Sequence, residues 1–213
     1  KKICIIGSGL TGTLLAAELL ERTKHEIIVI DIDKLNEKFF INEEHFNYYP
    51  FERFKDVLTF SLGFGGSSNL WHGVMTDFDK IDNERLKNNF GLNKLCESNL
   101  TSLSYKIFPR IDKFISINDD LNCNKFWRKK LYYVPRKPWR FRETLKDLKR
   151  KFSKKLTIFE DTVAVDMNIE DIKNHAKVVS LNVISDLKKR KIKADTFICS
   201  LGALETPRLL NQT

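Results

Sequence analysis

An α/β fold built on a central parallel sheet, with an antiparallel β-meander serving as one crossover, is what this sequence predicts. Three observations predict it. A strand, a glycine-rich turn, a helix and a second strand open the chain; strand-like runs at hairpin spacing fill its last third; and a second strand–glycine–helix junction, "SLGALETPRLL", follows directly on those runs. Strands that alternate with helices pair in parallel, and strands joined by short polar turns pair antiparallel.

The opening element is the apolar run Ile3 to Ile6, which fits a strand covered on both faces. Gly7-Ser8-Gly9-Leu10-Thr11-Gly12 follows as GxGxxG, and a helical run from about Thr11 to Arg22 places Leu15, Ala16 and Leu19 on one face. A polar break at Thr23-Lys24-His25 leads to a second apolar strand, Ile27 to Ile30, which ends at Asp31. In such a unit Gly7 allows the tight turn, Gly9 lets the backbone approach a pyrophosphate, and Gly12 with Ala16 brings the helix close to the sheet. The helix N-terminus offers N–H groups and the positive end of its dipole to the phosphates. Asp31, 24 positions after Gly7, can accept hydrogen bonds from a ribose diol and disfavours a 2'-phosphate. Dinucleotide binding is therefore expected, with NAD and FAD both open, because they share this fingerprint.

Lys34 to Phe60 is irregular and expected to connect rather than to form a sheet. The segment "SLGFGGSSNLWHGVM", Ser61 to Met75, has four glycines and no periodicity, and reads either as a surface loop or as backbone that something approaches closely. Asp79 to Leu103 has helical spacing broken at Gly91, and 105 to 137 shows no clear pattern. From Pro138, "PWRFRETLKDLKRKF" predicts a helix whose inner face carries Phe141, Leu145, Leu148 and Phe152. "KLTIFE" is a short strand, and "TVAVDMNI", "HAKVVSLNVI" and "KIKADTFICSLG" then predict a meander with turns at "NIEDIKNH" and "SDLKKR". Gly202 ends the last strand, and Thr206 and Pro207 suit a helix start.

At 213 residues and 42% hydrophobic, the chain can bury a sizeable core and makes one domain or one domain and part of another. No run approaches the roughly 20 apolar residues of a membrane-spanning helix. The strand-like start shows no signal peptide, and "ETPRLLNQT" reads as a helix barely begun, so the chain is expected to be part of something longer. Cys4, Cys96, Cys123 and Cys199 form no CxxC pair; reduced thiols and a cytoplasmic setting, peripheral to a membrane included, follow. Much of the net charge of +9 lies in Trp127 to Lys155 and in Asp186 to Lys193. A solvated basic surface is the plain reading, an anionic or lipid-linked substrate the sharper one, and nucleic acid is not expected. His25, His45 and His175 fall in turns or irregular segments without metal-like partners, so no metal is expected.

Three segments, "IIGSGLTGTLLAAELL" with Asp31, "GGSSNLWHG" and "ADTFICSLGALETPRLL", together resemble the glucose-methanol-choline flavoprotein oxidoreductases, in that family's order and with the meander before the third. The resemblance implies a Rossmann-like FAD/NAD(P)-binding fold and FAD as cofactor, bound non-covalently, because Leu70 stands where some relatives carry a linking His. It implies that Gly7, Ser8, Gly9, Leu10, Thr11 and Gly12 hold the pyrophosphate and Asp31 the ribose, with the backbone of Val163 on adenine. Gly202 and Ala203 would close over the phosphate and ribitol, and Gly65, Gly66, Ser67, Ser68, Asn69 and Trp71 would form the loop along the flavin ring. It further implies one discontinuous FAD-binding domain: a first half at 1–78, a mainly helical insertion or linker at 79–154 and a second half at 155–213, with the substrate domain largely outside the chain. The implied reaction oxidises a CH–OH group of an alcohol or sugar by hydride transfer to the flavin. The family's catalytic base lies beyond this chain, and His72 beside the ring loop is a candidate base that fits local support better. An NAD-dependent dehydrogenase, or a basic module that binds membrane or nucleic acid without catalysis, stands as the alternative.

Overall fold

The computed structural model describes residues 1–32, 63–71, 73, 88, 138, 140–172 and 175–213. The chain divides into two compact units, Lys1–Leu70 with Arg140–Thr213, and Trp71–Trp139. The first holds every element described below.

Strand β1 (Lys2–Ile6), helix α1 (Leu10–Arg22) and strand β2 (Glu26–Ile30) form the opening βαβ unit, with β1 and β2 parallel from Lys2↔Glu26 to Ile6↔Ile30. Helix α2 (Phe141–Lys151) leads to strand β3 (Leu156–Phe159), which lies parallel to β2. Strands β4 (Thr162–Ile172), β5 (His175–Ser185) and β6 (Lys188–Ile192) form an antiparallel sheet of their own. Strand β7 (Thr196–Cys199) then returns to the first sheet beside β1, and helix α3 (Gly202–Asn211) follows. The parallel sheet runs β3-β2-β1-β7.

Alternation along β1 and β2 builds two cores, one on each face of the parallel sheet. Ile3, Ile5, Ile27 and Val29 point to one face, where Ala16 and Leu20 of α1 and Leu145 and Leu148 of α2 cover them. Cys4, Ile6, Ile28 and Ile30 point to the other, under Ala164, Met167, Leu181 and Val183 of the meander and Leu209 of α3. Each fully buried Leu or Ile contributes roughly 2 kcal/mol of transfer free energy, which makes this double layer the main stabilising term.

Several expectations change. The buried face of α1 is Gly12, Thr13, Ala16 and Leu20, and Leu15 and Leu19 lie at its margin, because the close approach is made by the small residues. Helix α2, expected inside an insertion at 79–154, packs Phe141, Leu145 and Leu148 into the first unit, so that unit resumes at Arg140. The run expected as one last meander strand is two strands in two sheets. The chain changes sheets at Asp195, whose N–H bonds the Lys2 carbonyl at 2.8 Å while its carboxylate accepts from the Lys2 N–H at 2.7 Å. The meander turns are also tighter: β5 meets β6 across Asp186 and Leu187 alone. The predicted helical spacing at 79–103 lies outside the described residues, Asn88 excepted.

Over their described residues, the basic stretches lie mainly on the surface. On α2, Lys149 pairs with Glu160 at 2.8 Å, Lys151 with Glu21 at 3.0 Å and Arg150 with Asp147. Among the described residues, the lysines of β6 lie on an edge strand of the meander, where charge opposes edge-to-edge pairing. No helix among the described residues is long and apolar enough to cross a membrane.

Candidate cofactor-binding site

The carboxyl ends of β1, β2 and β7 open into one cavity of about 700 Å³, inside the roughly 300–1,000 Å³ usual for small-molecule sites. This is the edge at which open parallel sheets take ligands. Five pieces of chain line it: the turn after β1, the end of β2, the glycine-rich segment, the start of β4 and the first turns of α3.

Gly7, with φ +99, lies in the left-handed region, and a Cβ there would stand 2.6 Å from the Ser200 carbonyl oxygen. A Cβ on Gly12 would stand 2.0 Å from the Gly7 carbonyl oxygen and 2.6 Å from the Ser200 Oγ. The two strand–helix junctions are thus pressed together, and Ser200 joins them: its N–H donates to the Ile6 carbonyl at 2.8 Å and its hydroxyl to the Gly7 carbonyl at 2.7 Å. By contrast, a Cβ built on Gly9 or Gly202 meets nothing within 4 Å. Those two positions face open cavity.

The glycine-rich segment is held from behind. Gly65 donates its N–H to the Ser8 carbonyl at 3.1 Å, and a 3₁₀ turn, Gly66–Asn69, follows. The Ser68 hydroxyl donates to the Gly65 carbonyl at 2.5 Å, and the Asn69 amide to the Phe64 carbonyl at 2.9 Å. Arg140, the residue that precedes α2, donates to the Ser68 carbonyl at 2.7 Å.

Of the residues singled out in the sequence, Gly7, Gly9, Leu10, Thr11 and Asp31 line the cavity, as do Gly66, Ser67, Ser68, Val163, Gly202 and Ala203. Ser8 is fully buried and turned away: its N–H and its hydroxyl both donate to one Asp31 oxygen at 2.6 Å, and the other Asp31 oxygen accepts from the Ile32 N–H at 2.7 Å. Gly12, Gly65 and Asn69 likewise stand behind the lining. Trp71 is half-buried in the second unit, and His72 lies outside the described residues.

Ile32, Thr162, Ser200 and Arg208 were missed by sequence reasoning. Ile32 and Val163 join Ile184 in a small apolar cluster beside Asp31, and the Thr162 N–H bonds the Asp31 carbonyl at 3.1 Å. Cys199 faces the cavity, its thiol pushed up by burial; Cys4 beneath it is pushed up to about 12 by burial and by the neighbouring Cys199. Neither thiol has the character of a nucleophile. No group of three or more His, Cys, Asp or Glu among the described residues is placed to hold a metal ion.

The architecture is the Rossmann-like FAD/NAD(P)-binding fold, and solved oxidases share it. A pyridoxine 4-oxidase from Mesorbium loti superposes with a TM-score of 0.62 at 15% identity, over 97% of this chain and 50% of that one. A formate oxidase from Aspergillus oryzae RIB40, described for its FAD modification, gives 0.60 at 14% identity, over 98% of this chain and 46% of that one. A further formate oxidase structure gives 0.60 at 15%, with the same coverage. The chain thus spans about half the length of the solved structures it matches. By sequence, no family model and no curated protein matches.

Proposed function

We propose that this chain is the FAD-binding part of an oxidoreductase of the glucose-methanol-choline type, which oxidises a CH–OH group of an alcohol or sugar. The observation that carries the reading is the convergence of two strand–glycine–helix junctions and a glycine-rich turn on one cavity. The residues fit a dinucleotide in parts. The first turn of α1, with Gly9 leaving open space, suits a pyrophosphate, since N–H groups there have no helical partner. Asp31 suits the ribose, and the apolar pair Ile32 and Val163 suits the base. Gly202 and Ala203 are assigned to the phosphate and ribitol side, and Gly66, Ser67 and Ser68 to the flavin ring. Ser8, Gly12, Gly65 and Asn69 are assigned to holding those residues in place. A meander stands between β3 and β7 where a simple NAD domain repeats βαβ units, which favours FAD over NAD.

Bound FAD would supply a hydride acceptor to the substrate carbon. The residues of this chain bind and orient it, and the substrate pocket and the base that takes the hydroxyl proton are assigned to parts of the protein outside the chain. The decisive measurement is absorbance of the purified protein near about 450 nm, where flavins absorb, followed by titration with FAD and with NAD. A yellow protein, or one that takes up added FAD, is expected. A protein that takes up NAD instead, or that binds polyanions but not FAD, overturns the reading.

A further inference from the structure

Arg208 sits in the second turn of α3 with 3% of its surface exposed, yet lines the cavity. Burying a guanidinium is costly unless its donors are met. Here they are met in part by one feature of β4 and in part by side chains of α3 itself. Opposite Ala164 stands Val183 and opposite Asp166 stands Asn182, so Val165 is the extra residue of a β-bulge. The bulge lets Ala164 and Met167, three apart, both face the parallel sheet, where a regular strand would alternate. A bulge disrupts the ladder locally, and the Arg208 guanidinium donates to both carbonyls there, to Ala164 at 2.7 Å and to Val165 at 3.4 Å. Its Nε donates to Glu205 at 2.7 Å, and Gln212 accepts from it as well. One planar fork thus ties the bulge to the turn of α3 that also lines the cavity.

We propose that Arg208 is a positioning residue that fixes the base-facing wall of the cavity. The bulge lies directly after Thr162 and Val163, which line the cavity beside Asp31, and Thr162 is bonded to Asp31. Arg208 therefore couples the wall assigned to the base with the helix end assigned to the phosphates. The inference deepens the FAD reading and rests on it for the class of ligand, an adenine nucleotide diphosphate.

The test is calorimetric titration of the full chain with ADP and with UDP, for the wild type, Arg208→Met and Arg208→Lys. General loosening weakens both nucleotides alike, whereas a displaced base wall erodes the preference between them. The wild type is expected to favour ADP by roughly tenfold or more, Arg208→Met to lose that preference, and Arg208→Lys to lose much of it, because an ammonium cannot reproduce the planar fork. Should Arg208→Met fail to fold, the lysine variant decides alone. An unchanged ADP-to-UDP ratio in whichever variant decides, or a wild type without preference, overturns the inference. A wild type that prefers ADP in an Arg208-dependent way but does not take up FAD upholds it and removes the flavin reading. A wild type that binds neither nucleotide nor FAD removes both.

Discussion

Cys4 lies in the middle of β1, covered by the second core and adjoining Cys199, and its thiol is pushed from the ordinary 9.0 to about 12. The consequence for stability has a definite sign. Between those values the folded chain keeps a proton that the unfolded chain has released, so stability is whole below about pH 9 and falls as the pH climbs toward 12. The slope from one such group is about 1.4 kcal/mol per pH unit at most. Cys4→Ala should start less stable, having lost a buried side chain, but decline less steeply. Denaturant midpoints from about pH 8 to about pH 11 read the difference, and parallel declines would refute the assignment. The strand-like setting of Cys4 and Cys199 was legible in the sequence. The influence of Cys199 on Cys4 was not, because it depends on β7 lying beside β1, and nothing local says so.

Among the elements, the hairpin between β5 and β6 shows where local signals give out. Asp186 and Leu187 both carry positive φ, +51 and +59, the two-residue geometry for which Asn-Gly is favoured. "SDLK" contains neither Asn nor Gly, so the turn was legible only by its polarity, and its tightness was not. Leu187 is 65% exposed and gains no burial for its strained backbone. Leu187→Gly should therefore stabilise the chain by about 1 kcal/mol, seen as a higher denaturant midpoint at unchanged slope. A neutral or destabilising result would mean that the side chain is supported in a way its exposure conceals. Helix α2 makes the complementary point. Its apolar spacing was clear, with Phe141, Leu145 and Leu148 buried as the period requires. Its role as part of the sheet's cover was hidden, since its partners, such as Ser68 for Arg140, lie 72 positions away.

At the scale of the molecule, the site is a meeting of segments from both ends of the sequence. The glycines of both junctions were legible because a tight turn, a close helix and an open cradle each demand a residue without a side chain. What the sequence could not show is the stitching, Ser200 onto Gly7 and Gly65 onto Ser8, which brings the glycine-rich turn against the loop after β1. That stitching makes a sharp prediction for Gly66. It lines the cavity, has φ +51 and donates its N–H to the Gly63 carbonyl at 2.8 Å. A valine there would be ill suited to positive φ and would add bulk at a residue that lines the cavity. Gly66→Val should thus lose FAD binding by about 100-fold or more, while hydrogen exchange in β1, β2 and β7 stays as slow as in the wild type. Retained FAD affinity would take the turn out of the cofactor site. Loss of protection in the three strands would show instead that the turn supports the sheet, leaving the cavity's glycines without the separate role assigned to them.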